Sequence, residues 1–277
     1  MVVLVLGAGG QLGQSLQFIA NDYPEIQFNF FSRLDLDITN ELELKSIFNS
    51  LRPNFCVNAS AYTAVDKSES EQEQAHLINV EGVKNIALMC QNFDTTLIHV
   101  STDFVFDGSK NSPYTEDDAT NPQGVYGKTK RKGELEIIRI LKKHFIIRTS
   151  WLYSQFNTNF MKTMLRLARD RDSLSVVNDQ IGTPTHAVDL ANAIAKVILS
   201  SSTNYGIYHY SNEGKASWYD FAKKIFEVNK IEINLKPIST SEFPTPAQRP
   251  KYSVLDKSKI KKEFNLLIEE WQDSLKK

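Results

Sequence analysis

Apolar runs and amphipathic stretches alternate along this chain. Val2–Leu6 is an unbroken β-branched and aliphatic run, the pattern of a strand buried on both faces. A helical pattern follows from Gln11 to Ala20. Further strands are predicted at Gln27–Phe31, Phe55–Ala59, Thr96–Val100 and Phe145–Arg148, with a late one at Gly206–Tyr210. Helices are predicted at Asn40–Leu51, Ala75–Asn92 and His186–Ser200, the last expected to pack back on the sheet. Strands alternating with helices predict an α/β fold with a parallel, doubly wound sheet. In the last third, Phe156–Arg171 and Ser217–Asn229 carry apolar residues at helical spacing. Trp218, Phe221, Ile225 and Phe226 fall on one face and read as core. Thr240–Tyr252, with Pro244, Pro246 and Pro250, reads as an ordered irregular loop, and a charged helix is expected near Leu266–Lys277.

Composition narrows the function classes. The 277 residues are 41% hydrophobic and 23% charged, with a formal net charge of −1. That length holds one large domain, or one large and one small. The charge balance supplies no bulk field for nucleic acid or an anionic membrane. Cys56 and Cys90 have neither metal spacing nor a disulfide framework, and apolar neighbours mark them as inert buried thiols. The apolar N-terminal run is too short for a secretory h-region, and no segment reaches membrane length. A reducing cytoplasm is the expected location.

The first strand runs into Gly7-Ala8-Gly9-Gly10-Gln11-Leu12-Gly13 and then into a helix. Strand, glycine turn and helix form the context of a dinucleotide-binding fingerprint, and the fold becomes Rossmann-type. Glycines let the backbone approach a pyrophosphate, and the helix N-terminus offers free N–H groups. Gly7, Gly10 and Gly13 fit G-x-x-G-x-x-G, because Leu12 stands where G-x-G-x-x-G requires glycine. Ser32-Arg33 follows the second strand. A hydroxyl and a guanidinium there suit a ribose 2′-phosphate, favouring NADPH, with NADH as the alternative. Asp37-Ile38 is expected at the adenine end, although Asp37 equally suits a cap for the next helix. Ala59, Ala61, Tyr62 and Thr63 follow the third strand, at the carboxyl edge where open α/β sheets bind ligands.

Tyr126 and Lys130 stand four residues apart, on one face of a helix. A free phenol titrates near ~10, too high for efficient proton transfer at neutral pH. A neighbouring ammonium stabilises the phenolate, at about 1.4 kcal/mol per pH unit of lowering. Alone, such a pair also occurs on ordinary exposed helices. Arg249 carries a guanidinium suited to paired hydrogen bonds with a diphosphate, or simply facing solvent.

These segments together resemble the extended short-chain dehydrogenase/reductase superfamily and, within it, the dTDP-4-dehydrorhamnose reductase family. The motifs are Gly7–Gly13, Asn58–Lys67, Ser101–Gly108, Val125–Lys130, Arg148–Trp151, Asn178–Thr185 and Pro244–Pro250. The resemblance implies a nucleotide-binding unit of 1–150 with about 186–211, and a smaller, discontinuous α/β unit of 151–185 with 212–277 that binds the sugar nucleotide. It implies that Tyr126 protonates a C4 carbonyl oxygen as hydride arrives from a nicotinamide. Lys130 would hold the nicotinamide ribose and lower the Tyr126 pKa, and Thr102 would hydrogen-bond the substrate oxygen. Trp151 would line the sugar pocket, with Asn178, Gln180 and Arg249 beside the sugar nucleotide and Asp103 as a further contact or a strand-end cap. Phe104 follows Asp103 where related 4,6-dehydratases have a glutamate, which disfavours elimination. The implied reaction is NADPH-dependent reduction of dTDP-4-dehydro-L-rhamnose to dTDP-L-rhamnose. The alternatives are a reductase or epimerase for another nucleotide-linked 4-ketosugar, or a non-catalytic NADP-binding regulatory subunit. Ser15 is a poor metal ligand and no acidic set maps, so no metal site is assigned and a Mg2+ requirement stays open, as does monomer against homodimer.

Overall fold

The computed structural model describes residues 1–277. Six parallel strands form the main sheet: β1 (Val2–Leu6), β2 (Gln27–Phe31), β3 (Phe55–Asn58), β4 (Thr96–Thr102), β5 (His144–Thr149) and β6 (Gly206–His209). Their spatial order is β6-β5-β4-β3-β1-β2. The order reverses between β1 and β3, the position where doubly wound sheets open a crevice. The principal helices are α1 (Gln11–Ile19), α2 (Glu41–Leu51), α3 (Val83–Asn92), α4 (Val125–Ile140), α5 (Phe160–Asp170), α6 (Ala187–Leu199) and α7 (Trp218–Val228).

The alternation of side chains along a strand explains the unbroken apolar run of β1. Val3 and Val5 enter a core shared with α1 and α6, whereas Leu4 and Leu6 enter a core shared with α2, α3 and α4. Cys56 and Cys90 lie buried as free thiols in the second of these cores. A third cluster, built around Met164, Phe221, Ile225 and Trp271, belongs to the later part of the chain. There Ser173–Val177 pairs in parallel with Asn234–Ile238.

Three expectations change. Asn40 caps α2, accepting from the Leu42 and Glu43 N–H groups, while Asp37 accepts from the Thr39 N–H and hydroxyl. The expected C-terminal helix is only Trp271–Ser274; a separate helix, Ser258–Phe264, precedes it. Ile260, Phe264 and Leu266 pack into the core beneath the main sheet rather than with the later part of the chain. The helical pattern at Ala75–Asn92 contains a π-helical stretch, Leu77–Gly82, before α3.

Candidate active site

Strands β1 to β5 run parallel, so their carboxyl ends lie along one edge of the sheet, where the reversal between β1 and β3 opens a crevice. At its floor, Gly7 takes a positive φ of 85°, and a Cβ there would lie 2.6 Å from the Ser60 nitrogen. A side chain at Gly13 would collide with the Gly7 carbonyl and the Ala8 backbone. The glycine spacing therefore reflects close approach of β1, the turn and α1. Gly10 caps α1 without a side chain, leaving the first N–H groups of the helix open toward the crevice. This cradle fits the pyrophosphate of a dinucleotide. Leu12 is buried in the core, so only its main chain faces the cradle. Gln11 turns its amide away, accepting from Ser154 and Asn159 and reaching the Leu152 carbonyl. It thereby ties the glycine turn to the later part of the chain.

Ser32 and Arg33 lie beyond β2, as expected, but the Ser32 hydroxyl donates to Asp35 at 2.6 Å. Arg33 is exposed. The Thr39 N–H, with smaller help from Arg33, holds Asp37 below the usual carboxylate range. Ile38 is buried against Gly82, on the side of α2 and α3. Ala59, Ala61 and Tyr62 line the crevice after β3 half-buried, and Thr63 is exposed. Asn79, in the π-helical stretch, accepts from the Tyr62 N–H at 2.9 Å and donates to the Tyr62 carbonyl. It also donates to the Thr129 hydroxyl on α4, so one buried amide links the crevice wall to the helix of Tyr126. Glu69 accepts from the Val125 N–H at 2.9 Å and caps that helix. Sequence reasoning assigned neither residue.

Thr102 ends β4, where its hydroxyl donates to Asp103 and accepts from the Phe104 N–H. Tyr126 lies on the first turn of α4, in edge-to-face contact with Phe104. It keeps part of its surface open, although its surroundings are dense. Burial pushes its pKa up to about 12; Thr102 works against the rise and Asp103 adds to it. The expected depression by Lys130 is therefore absent. Lys130 is buried and donates to the Val100 carbonyl at 2.7 Å, with His99 Nε2 at 3.4 Å. Burial lowers its pKa to about 8. Asp103 is 2% exposed, one oxygen has no partner, and burial raises its carboxyl to about 6.

Trp151 follows β5 with a φ of 45°, uncommon for a bulky residue. That turn lays its indole on Trp218, with centroids 3.6 Å apart and planes within 7°. Trp218, read from sequence as core, packs partly buried against the third cluster and also forms half of a tryptophan pair. Gln180 is held at both ends, accepting from Trp218 Nε1 and donating to Thr240. Asn178 is exposed, and Asp179 accepts from the Thr240 N–H and hydroxyl. Arg249 donates to Asp66 at 2.7 Å, joining the proline-rich loop to the segment after β3. No group of three or more His, Cys, Asp or Glu side chains gathers to hold a metal. Ser15 is buried and donates to the Gln11 carbonyl.

A parallel sheet with a glycine cradle at its switch point, and Thr102, Tyr126 and Lys130 across the crevice, defines the class of extended short-chain dehydrogenases/reductases. The chain belongs to the family described as RmlD substrate binding domain, which matches residues 1–277. It is 42% identical to a dTDP-4-dehydrorhamnose reductase of Aggregatibacter actinomycetemcomitans, over 99% of this chain and 97% of that protein. The crystal structure of a dTDP-4-dehydrorhamnose reductase from Clostridium acetobutylicum superposes with a TM-score of 0.95 at 43% identity, covering 100% of this chain and 97% of that one. A second, from Bacillus anthracis in complex with NADP, has a TM-score of 0.95 at 40% identity, covering 99% and 96%.

Proposed function

We propose that this protein reduces the C4 ketone of dTDP-4-dehydro-L-rhamnose to dTDP-L-rhamnose, using NADPH. The observation that carries the reading is the convergence of Thr102, Tyr126 and Lys130 on the carboxyl end of β4: Thr102 closes the strand, Tyr126 on α4 packs on Phe104, and Lys130 bonds the Val100 carbonyl. When bound, the dinucleotide supplies the hydride. The Gly7–Gly13 turn and the N-terminus of α1 hold its diphosphate. Arg33 meets the 2′-phosphate beside Ser32, whose hydroxyl Asp35 holds; Asp37 and Ile38 border the adenine, and Ala59–Thr63 lie along its length. Lys130 holds the nicotinamide ribose.

Hydride addition to a ketone creates an alkoxide, and a positioned acid lowers that barrier. Tyr126 supplies the proton from its phenolic oxygen. Burial pushes the phenol up to about 12 in the free protein, so it holds its proton there; efficient donation needs the cation of Lys130 and the Thr102 hydrogen bond to offset that rise once substrate and dinucleotide are bound. Thr102 hydrogen-bonds the substrate oxygen. Trp151 stacks beside the sugar with Trp218 behind it, and Asp103, Asn178 and Gln180 border the sugar nucleotide. Arg249, oriented by Asp66, meets the diphosphate. The division into a nucleotide unit (1–150 with about 186–211) and a sugar-nucleotide unit (151–185 with 212–277) is consistent with the cluster on which the tryptophan pair packs, except that Ile260, Phe264 and Leu266 join the nucleotide unit's core.

The test is loss of NADPH absorbance dependent on dTDP-4-dehydro-L-rhamnose. Tyr126→Phe is expected to slow turnover by about 10²–10⁴-fold while cofactor still binds. A wild-type protein that binds NADPH and the sugar nucleotide without turnover would overturn the reading.

A further inference from the structure

Behind α4 runs a buried polar chain that the proton transfer above does not use. Asn58, His99 and Lys130 are 0%, 0% and 2% exposed. The Ser60 N–H and hydroxyl both donate to Asn58 Oδ1, at 3.0 and 2.5 Å. Two donors on one oxygen fix the amide, so its NH2 group faces His99 Nδ1 at 3.0 Å. An amide N–H needs an acceptor, so Nδ1 carries the lone pair and the neutral ring holds its proton on Nε2. Nε2 lies 3.4 Å from Lys130 Nζ.

An ammonium at Lys130 thus faces an N–H rather than an acceptor. Its remaining protein partner is the Val100 carbonyl. Glu134, one turn further along α4, is engaged by Arg148, Arg131 and Ser101. Tyr126 lies one turn earlier on the same helix, Asp103 follows β4 beside Tyr126, and His144 on β5 faces His99.

We propose that His99 is a positioning residue: locked by Asn58 in the Nε2–H tautomer, it turns an N–H on Lys130, so that the lysine takes up a proton when the nicotinamide dinucleotide binds. This rests on the dinucleotide site proposed above. Burial and the Lys130 charge keep His99 well below its ordinary pKa, so the ring is neutral. Burial also brings Lys130 down to about 8, against an opposing pull from Glu134. Ribose hydroxyl acceptors and diphosphate charge favour the ammonium. Lys130 therefore titrates higher in the complex than in the free protein. Between those two values the complex binds more protons, and affinity falls as pH rises through the window, by at most about tenfold per pH unit.

Calorimetric titration with NADPH, in phosphate and in Tris buffer, reads the protons taken up. About half a proton per site is expected near pH ~8, and less than about a tenth near pH ~7. Asn58→Asp supplies an acceptor to Nδ1–H, reverses the tautomer and turns a lone pair to Lys130; the uptake near pH ~8 should then disappear. Should Asn58→Asp not fold, the ¹⁵N shifts of the wild-type His99 ring decide the tautomer directly. Binding without proton uptake, uptake unchanged in Asn58→Asp, or a proton on Nδ1 each overturns the proposal while leaving the reductase reading intact. No binding of NADPH overturns both.

Discussion

Ser32 and Arg33 are neighbours in sequence but meet different surroundings. The Ser32 hydroxyl is committed to Asp35, whose carboxyl it helps hold below the usual range. Arg33 remains exposed at the edge of the crevice. Selectivity for a 2′-phosphate should therefore rest on the guanidinium. Arg33→Asp is expected to raise the KM for NADPH and lower that for NADH, by about tenfold in their ratio for one charge-assisted pair. Steady-state kinetics with both cofactors checks this, and an unchanged ratio removes Arg33 from the site. Trp218 teaches a different lesson at the same scale. Its spacing with Phe221 and Ile225 is that of a core face, and those two are indeed fully buried. Only the left-handed turn at Trp151 brings a second indole onto it.

At the scale of elements, most strands and helices were legible because burial on two faces or one leaves a period in the sequence. The sequence pattern places β1 and β2 to the residue. Caps were less legible. Asn40 serves α2 locally, three residues after Asp37, the aspartate that the sequence offered as its cap. The helix of Tyr126 begins at Gly124, which offers no side chain, and takes its cap from Glu69, far away in sequence. A carboxylate there satisfies an orphan N–H and complements the positive end of the helix. Glu69→Ala should cost about 1 kcal/mol, read as a lower urea midpoint with unchanged slope. An unchanged midpoint would show that water replaces the cap.

Across the whole molecule, buried ion pairs and amide bridges fasten distant segments. Arg148 on β5 and Glu134 on α4 are 1% and 0% exposed and share two hydrogen bonds, at 2.9 and 2.8 Å. Ser101 and Arg131 fill the remaining positions on the carboxylate. Removing one partner leaves a desolvated charge, so Arg148→Met should destabilise the fold by about 3–5 kcal/mol in denaturant titration. A loss under about 1 kcal/mol would mean that Arg131 alone compensates. The half-exposed pair Asp66–Arg249 and the Gln11–Asn159 amide bridge also connect the crevice to the later part of the chain, at smaller energetic weight.

The sequence by itself determined the alternating strands and helices, the glycine turn and the helical spacing of Tyr126 and Lys130. Each is a local pattern, set by the periods of strand and helix or by the room that glycine leaves. Tertiary structure alone decided the stacked indoles, the Glu69 cap, the Asn79 clamp and the tautomer of His99. Those depend on which atoms meet across tens of residues of chain. It also decided the electrostatics: four residues of spacing suggested that Lys130 would depress Tyr126, yet burial pushes the phenol up and the lysine down. Desolvation depends on the surroundings assembled around a group, and no local pattern in the chain records them.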